Sequence, residues 1–421
     1  MTHFGIICPD ATGHLNPMIA LGYELQKRGH RVTLFGILDV QSKALVAGLG
    51  FYPIGECEFP IGTTAQLMKR RGELSGLAAL KYNFSLAKQD VEVCLRDTPG
   101  GIKSSGVEAL LIDQVCVGGG TVAELVDIPF VSVCSALLFN REDSVPPIFT
   151  SWQYDSTWLA RFRNKAGYAL SSFLVTPIQE LIIKYRQKWN LPLSFDSNNY
   201  YSKLAQLSQQ PPEFEFPRQH LPSCFHFTGP YSNPASRGSV TFPFEKLTGQ
   251  PLIYASMGTI QNRLISIFQN IAEACVGLDA QLVISLGTGI SPESFLEMPG
   301  SPLVVGYAPQ LELLKKATLT ITHAGLNTTL ESLSNGVPMV AIPIATDQPG
   351  VAARIAWTGT GEMIPLKSLN VPKLQEAIKR VLTQESYKQN AVRLQEAIRR
   401  AGGINRAVDI IEQVVSTGNL Y

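Results

Sequence analysis

The chain has little charge of either sign to offer a partner. Its 421 residues carry 35 basic and 34 acidic side chains, 16% of the total, for a formal net charge of +1. A surface that tracks nucleic-acid phosphates needs an excess of one sign, so the balance argues against a nucleic-acid binder. The seven cysteines, at 8, 57, 94, 116, 134, 224 and 275, are odd in number and form no C-x-x-C pair. That excludes a disulfide framework and a tetrahedral zinc site, and leaves reduced thiols as in a cytoplasmic protein. No basic flank precedes the apolar start, as a signal peptide would require, and residues 4–8 read as a first strand. No apolar run reads as long enough to span a membrane, so the expected location is the cytoplasm. Asp-x-Asp is missing, so a divalent ion held by paired carboxylates is not expected. Gly118-Gly119-Gly120 and Gly287-Thr288-Gly289 fail to give G-x-G-x-x-G between a strand and a helix, which argues against a dinucleotide site.

Apolar material, by contrast, is plentiful. At 45% hydrophobic residues the chain can fill two cores, and its two halves open alike. Phe4-Gly5-Ile6-Ile7-Cys8 reads as a strand, followed by a polar turn, an N-cap at Asn16 with Pro17 first in the helix, an exit at Gly29, and a strand at residues 31–35. In the second half Leu252-Ile253-Tyr254-Ala255 is the strand and Ser256-Met257-Gly258-Thr259 the turn. Leu264, Phe268, Ile271 and Cys275 then give the helix face. Repetition of this unit predicts an α/β protein of two doubly wound parallel sheets with ligands in the cleft at the strands' carboxyl ends. The domains are placed at 1–229 and 251–403, joined by a Pro, Ser and Gly-rich linker at 230–250, with a final helix within 404–421.

The polar residues of the second half gather at one helix start. Thr322-His323-Ala324-Gly325-Leu326-Asn327-Thr328-Thr329-Leu330-Glu331 follows a strand at 319–321, with Gly325 read as the tight turn and Gly336 as the helix end. His323, Gly325, Asn327 and Thr328 therefore cluster where unpaired N–H groups and a partial charge of about +0.5 favour a phosphate. Glu331, further along the helix, suits two ribose hydroxyls. Tyr307 and Gln310 suit a base by stacking and amide pairing, and Asp347-Gln348 suit a second polyol. Base, ribose, diphosphate and sugar together describe a nucleotide sugar. Ser256 and Gly258, in the facing turn, are further candidates for the phosphates.

In the first half, His14 follows Gly13 in the turn after the first strand, and Asp113 ends the apolar run Ala109-Leu110-Leu111-Ile112. Both fall at the same edge of one sheet. An imidazole held by a carboxylate can take a proton near neutral pH, a contribution of about 10²–10⁴-fold in rate.

Taken together, these runs resemble the UDP-glycosyltransferases of the two-domain GT-B fold, and most of all the bacterial branch with macrolide and zeaxanthin glycosyltransferases. Asp347-Gln348-Pro349-Gly350-Val351-Ala352-Ala353-Arg354 carries the likeness, as do Asn140-Arg141-Glu142 and Val145-Pro146-Pro147. Tyr307 and Leu326 stand where plant members usually or often carry tryptophan. The resemblance implies that His323 contacts the diphosphate, Glu331 the ribose, and Asp347 with Gln348 the hexose, with His14 and Asp113 as the catalytic dyad. It also implies a terminal helix that crosses back to the N-terminal domain, and glucose, as UDP-glucose, for the donor, though Asp347-Gln348 would also suit galactose or another hexose. Transfer would be a single displacement with inversion, independent of any metal or cofactor.

For the acceptor the family places the pocket in segments that here span about residues 59–84 and 137–185. These hold Phe84, Phe139, Phe149, Trp152, Tyr154, Trp158, Phe162, Phe173, Leu174 and Ile178, which favours a lipophilic alcohol of carotenoid, terpenoid, polyketide or flavonoid type. Arg161, Arg163 and Lys165 beside them suggest weak contact with a membrane surface. A monomer or weak dimer is expected. Two other readings remain open: an epimerase or hydrolase of sugar nucleotides, which would convert donor with no alcohol present, and a non-catalytic nucleotide-sugar-binding protein, indifferent to His14→Ala.

Overall fold

A computed structural model describes residues 1–420 except 75, 195, 234–239, 259–264, 288–291 and 293–296. Thr259, Leu264, Thr288 and Gly289 of the turns and helix face read above thus lie outside the described residues.

The first half runs β1 (His3–Ile7), α1 (Thr12–Lys27), β2 (Arg31–Gly36), α2 (Gln41–Val46), β3 (Gly50–Pro53), α3 (Thr63–Glu73), α4 (Gly76–Ser105) and β4 (Ala109–Asp113). It continues through α5 (Gly119–Val126), β5 (Phe130–Cys134), α6 (Trp158–Lys188), β6 (Gln206–Ser208) and β7 (Phe225–Phe227). The second half comprises β8 (Leu252–Ser256), α7 (Ile265–Cys275), β9 (Gln281–Ser285), β10 (Leu303–Val305), α8 (Gln310–Leu314), β11 (Ala317–Thr322) and α9 (Leu326–Ser334). After it come β12 (Met339–Ala341), α10 (Gln348–Trp357), β13 (Gly361–Met363), α11 (Val371–Thr383), α12 (Glu385–Ala401) and α13 (Gly403–Thr417).

The strands form two sheets, ordered β3-β2-β1-β4-β5-β6-β7 and β10-β9-β8-β11-β12-β13. Every pairing is parallel. All five residues of β1, β4 and β8 are buried, as expected of central strands covered by helices on both faces. Each sheet reverses its winding at one place: between β1 and β4 in the first, and between β8 and β11 in the second. The crevice beyond such a reversal is where open α/β sheets bind ligands. His14 follows β1 and Asp113 ends β4; Ser256 ends β8 opposite Thr322, the residue before His323. The sequence candidates therefore fall at the two switch points.

α13 returns to the first half. Its Ala407, Val408, Ile411 and Val414 share one core with Leu15, Met18, Leu21 and Leu25 of α1. Gly402, at φ +90, lets the chain turn sharply between α12 and α13. Arg28 and His30 then reach Glu412 at 2.8 Å each, tying the exit of α1 to the same helix.

A buried block joins the halves. Leu137 and Phe214 from the first half pack with Leu326, Leu330 and Val351 of the second. Arg354 of α10 is completely buried and donates to both oxygens of Glu215, with Arg218 on the same carboxylate at 3.1 Å. A Cβ on Gly350 would fall 2.2 Å from the Ile148 carbonyl, so only glycine allows α10 to approach this loop. Val145 and Ala353 share a small core with Phe216, so the resembling runs at 140–147 and 347–354 are two sides of one contact.

Candidate active site

α1 starts at Thr12, earlier than Asn16 suggested, so His14 stands in the first helical turn and not in a loop. Ala11 is the N-cap, with its carbonyl accepting from the His14 and Leu15 backbones. Pro17 is tolerated inside the helix at a definite cost: it has no N–H to give to the carbonyl four residues back, that of Gly13. Asn327 fills the gap. Its Nδ2 donates to the Gly13 carbonyl at 2.7 Å, across the domain boundary.

His14 Nδ1 lies 2.9 Å from Oδ2 of Asp113, whose side chain is completely buried. Burial by itself would lower the imidazole pKa, but the charge and hydrogen bond of Asp113, with Asp347 and Asp10 further off, raise it above 6.5. Asp113 Oδ1 accepts from the Val115 backbone, which fixes the carboxylate. Nδ1 is occupied by this contact, leaving Nε2 as the nitrogen that can take a proton.

In the second half His323 is held between two glycines. A Cβ at Gly258 or Gly325 would each come within 2.6 Å of its Nε2. Gly325 does not supply the turn: its φ is −64, and Ala324, at φ 63, takes the left-handed conformation. The glycine at 325 is needed instead for closeness to the ring. Burial pushes the His323 pKa down to about 4, against a weaker upward effect from the Ser256 backbone, so the ring is neutral at physiological pH. Nδ1 is buried without a hydrogen-bond partner, an arrangement that costs stability unless a ligand engages the ring. Gly325 caps α9 with no side-chain bond, so the first N–H groups of that helix stay available beside His323. Ser256 is buried, accepting weakly from the Gly258 backbone at 3.5 Å, and Gly258 has φ +76.

Other candidates are already engaged. Gln310 Nε2 donates to Glu331 at 2.6 Å and to Thr328 Oγ1 at 3.3 Å, while its oxygen accepts from the buried Tyr254 hydroxyl at 3.2 Å. The amide expected to pair with a base therefore orients the carboxylate expected at the ribose. Tyr307 is exposed at the edge, as a stacking ring requires. Asp347 accepts from the Leu137 backbone at 3.3 Å, and the Gln348 oxygen accepts from Ile344 and Ala345 at 2.9 Å each, leaving its N–H₂ free to donate. Asn327 Oδ1 accepts from Gln209 at 2.7 Å. Asn327 and Glu331 face Pro17, Gln209 and Tyr231 across a pocket of about 10 Å³, room for about one water.

Gln209, Tyr254 and the Glu215–Arg354 pair escaped the sequence reading, because each acts through a residue more than 50 positions away. The acceptor candidates also divide. Tyr154 packs with Phe216 and Trp357, and Ile178 joins the first-half core. Trp158, Phe162 and Phe173 are exposed to solvent.

A sequence model of the family described as "UDP-glucoronosyl and UDP-glucosyl transferase" matches residues 93–416. The chain belongs to this family. It is a UDP-glycosyltransferase with the GT-B fold. It is 32% identical to the zeaxanthin glucosyltransferase of Pantoea ananas over 99% of this chain and 97% of that one. To the zeaxanthin glucosyltransferase of Pseudescherichia vulneris it is 31% identical over 99% and 98%. Among solved structures, the glycosyltransferase of kitacinnamycin superposes with TM-score 0.73 at 20% identity, covering 98% of each chain. VinC, solved in complex with dTDP, gives 0.70 at 17%, covering 99% and 100%. Membership in the family is consistent with a UDP-glycosyltransferase site placed at both switch points, one from each domain.

Proposed function

We propose that the protein transfers glucose from UDP-glucose to a hydroxyl of a lipophilic alcohol of carotenoid type, with inversion, in the cytoplasm. The carotenoid class is supported by the two zeaxanthin glucosyltransferases, which match this chain along nearly its whole length. One observation carries the mechanism: the imidazole oriented by Asp113 and the start of α9 are joined through Gly13 and Asn327, adjacent to the base on one side and to the phosphate cradle on the other.

His14 Nε2 accepts the alcohol proton as the oxygen attacks the anomeric carbon, and Asp113 stabilises the imidazolium that results. Charge accumulates on the departing diphosphate. His323, neutral and sandwiched by glycines, donates to it together with the N–H groups that open α9, with Thr328, Ser256 and Gly258 beside them. Glu331, held by Gln310, accepts from the ribose; Tyr307 stacks on uracil; Asp347 and the free N–H₂ of Gln348 hold the hexose. Asn327 joins the cradle once its present contacts part. No divalent ion enters this reading, and loss of turnover on chelation would contradict that part of it.

Incubation with a panel of UDP-sugars and lipophilic alcohols, read by mass spectrometry, tests the proposal. Glucosylated zeaxanthin or a similar alcohol is expected. Donor conversion with no alcohol present, or donor binding with no product from any alcohol, would overturn it.

A further inference from the structure

α6 is 31 residues long, and by length and composition it is long and apolar enough to cross a membrane. This differs from the sequence expectation of no such run, because the apolar residues are interleaved with Ser, Thr and Gly and no charge intervenes between Lys165 and Glu180. The helix is nonetheless held against the protein at both ends. Asn164 is buried and donates to the Asp143 carbonyl at 3.0 Å, Gly167 packs on Trp152, and Ile182 and Arg186 are buried at the other end. α6 therefore lies along the protein surface with its far side bare.

What that far side shows is unlike an ordinary solvated face. Trp158, Phe162 and Phe173 are 74, 70 and 78% exposed, and at about 100° per residue they share one arc of about 80° with exposed Ala166 and Ala169. Arg161 and Lys165, one turn apart, border this stripe and are exposed. Among the described residues neither has an ion-pair partner, and no acidic residue occurs from 156 to 179. A surface of this kind matches a bilayer: indole and phenyl rings enter the headgroup boundary while guanidinium and ammonium groups meet lipid phosphates.

We propose that the N-terminal half of α6 is a peripheral docking face for an anionic lipid bilayer. It seats the protein where a lipophilic acceptor would be dissolved, yet the docking itself needs neither donor nor acceptor. Its test is therefore separate from that of glycosyl transfer.

Purified full-length protein is floated with vesicles of phosphatidylcholine alone or of equal parts phosphatidylcholine and phosphatidylglycerol. The wild type is expected to float with the anionic vesicles about tenfold more than with neutral ones, an advantage lost in molar salt. Arg161→Glu/Lys165→Glu should abolish the preference for anionic lipid, and Leu159→Ser/Leu170→Ser, at the stripe's other edge, should weaken flotation on both. Both variants should retain wild-type melting temperature and UDP binding. Absence of wild-type flotation, or flotation unchanged in both variants, overturns the proposal. So does a concentration-dependent dimer that the Leu159→Ser/Leu170→Ser variant dissolves while vesicles remain bare, since the stripe then belongs to a second copy.

Discussion

Asn327 Nδ2 meets the Gly13 carbonyl at 2.7 Å because Pro17 leaves that carbonyl without its helical donor. One proline in the first domain thus creates the acceptor that one asparagine in the second domain uses. Pro17→Ala would restore the N–H and compete with Asn327. In a denaturant double-mutant cycle, Asn327→Ala should therefore destabilise the wild type more than the Pro17→Ala background, with a coupling of about 0.5–1.5 kcal/mol. Strict additivity would mean that the contact is incidental.

In the proposed mechanism the same bond lies where the donor sits. Donor binding should part Asn327 from Gly13 and Gln209, so Asn327→Ala is expected to ease domain separation. Small-angle scattering checks this: UDP should increase the radius of gyration of the wild type, and the variant should already be expanded without ligand.

Gly325→Ala separates ring placement from backbone strain. At φ −64 alanine is conformationally acceptable there, and the nearest atoms its Cβ would meet are those of the His323 ring, 2.6 Å away. We expect UDP affinity to fall by about tenfold or more, equivalent to about 1.4 kcal/mol, with little change in melting temperature. Because burial holds the His323 pKa down to about 4, titration of this ring should contribute no pH dependence to UDP-glucose affinity from pH 6 to pH 8.

The Glu215–Arg354 pair predicts an acid-sensitive domain contact. Burial alone would raise the Glu215 pKa, but Arg354 and Arg218 outweigh it and bring it down to about 2. A carboxylate depressed in the folded state adds stability that is complete above its ordinary 4.5 and is lost as pH falls towards about 2. Arg354→Met, which leaves Glu215 buried with Arg218 and the Gln210 amide as its remaining donors, should cost about 3 kcal/mol at pH 7. The gap between wild type and Glu215→Gln should narrow as pH drops from about 5 to 2, measured by urea unfolding.

His14 gives the opposite sign. Its pKa is raised above 6.5, so its pairing with Asp113 adds stability present below 6.5 and lost as pH rises through the raised value. As a base it must be neutral, so kcat/KM should fall as pH drops through that same raised value. Asp113→Asn should move this acid limb to lower pH and lower the plateau, and an unmoved limb would remove Asp113 from the account.

Local signals carried a good part of this architecture. Apolar runs such as 109–112 and 252–255 could only be buried parallel strands, and their polar neighbours then had to lie at the strand ends. Family likeness and parallel topology followed from the same residues. What local pattern could not show was occupancy. Gln310, Asn327, Asp347 and Gln348 all have the chemistry to meet a ligand, yet their partners, Glu331, Gly13, Leu137 and the 344–345 backbone, are in several cases far away in sequence. Helix starts were also misplaced: Asn16-Pro17 looks like a cap, but the Ala11 carbonyl begins α1 earlier. Gly325 was legible as special, though for a steric reason and not a conformational one. The outward aromatic residues of α6 were indistinguishable from a pocket lining until the buried side of that helix was known.

The central claim is that an imidazole from one domain faces a diphosphate site in the other, and single-turnover transfer by His14→Ala, with UDP-glucose affinity measured on the same preparation, tests it most directly. The account predicts donor affinity within about twofold of wild type and a transfer rate lower by about 10²–10⁴-fold. Transfer at the wild-type rate, or loss of donor binding in step with the rate, would contradict it.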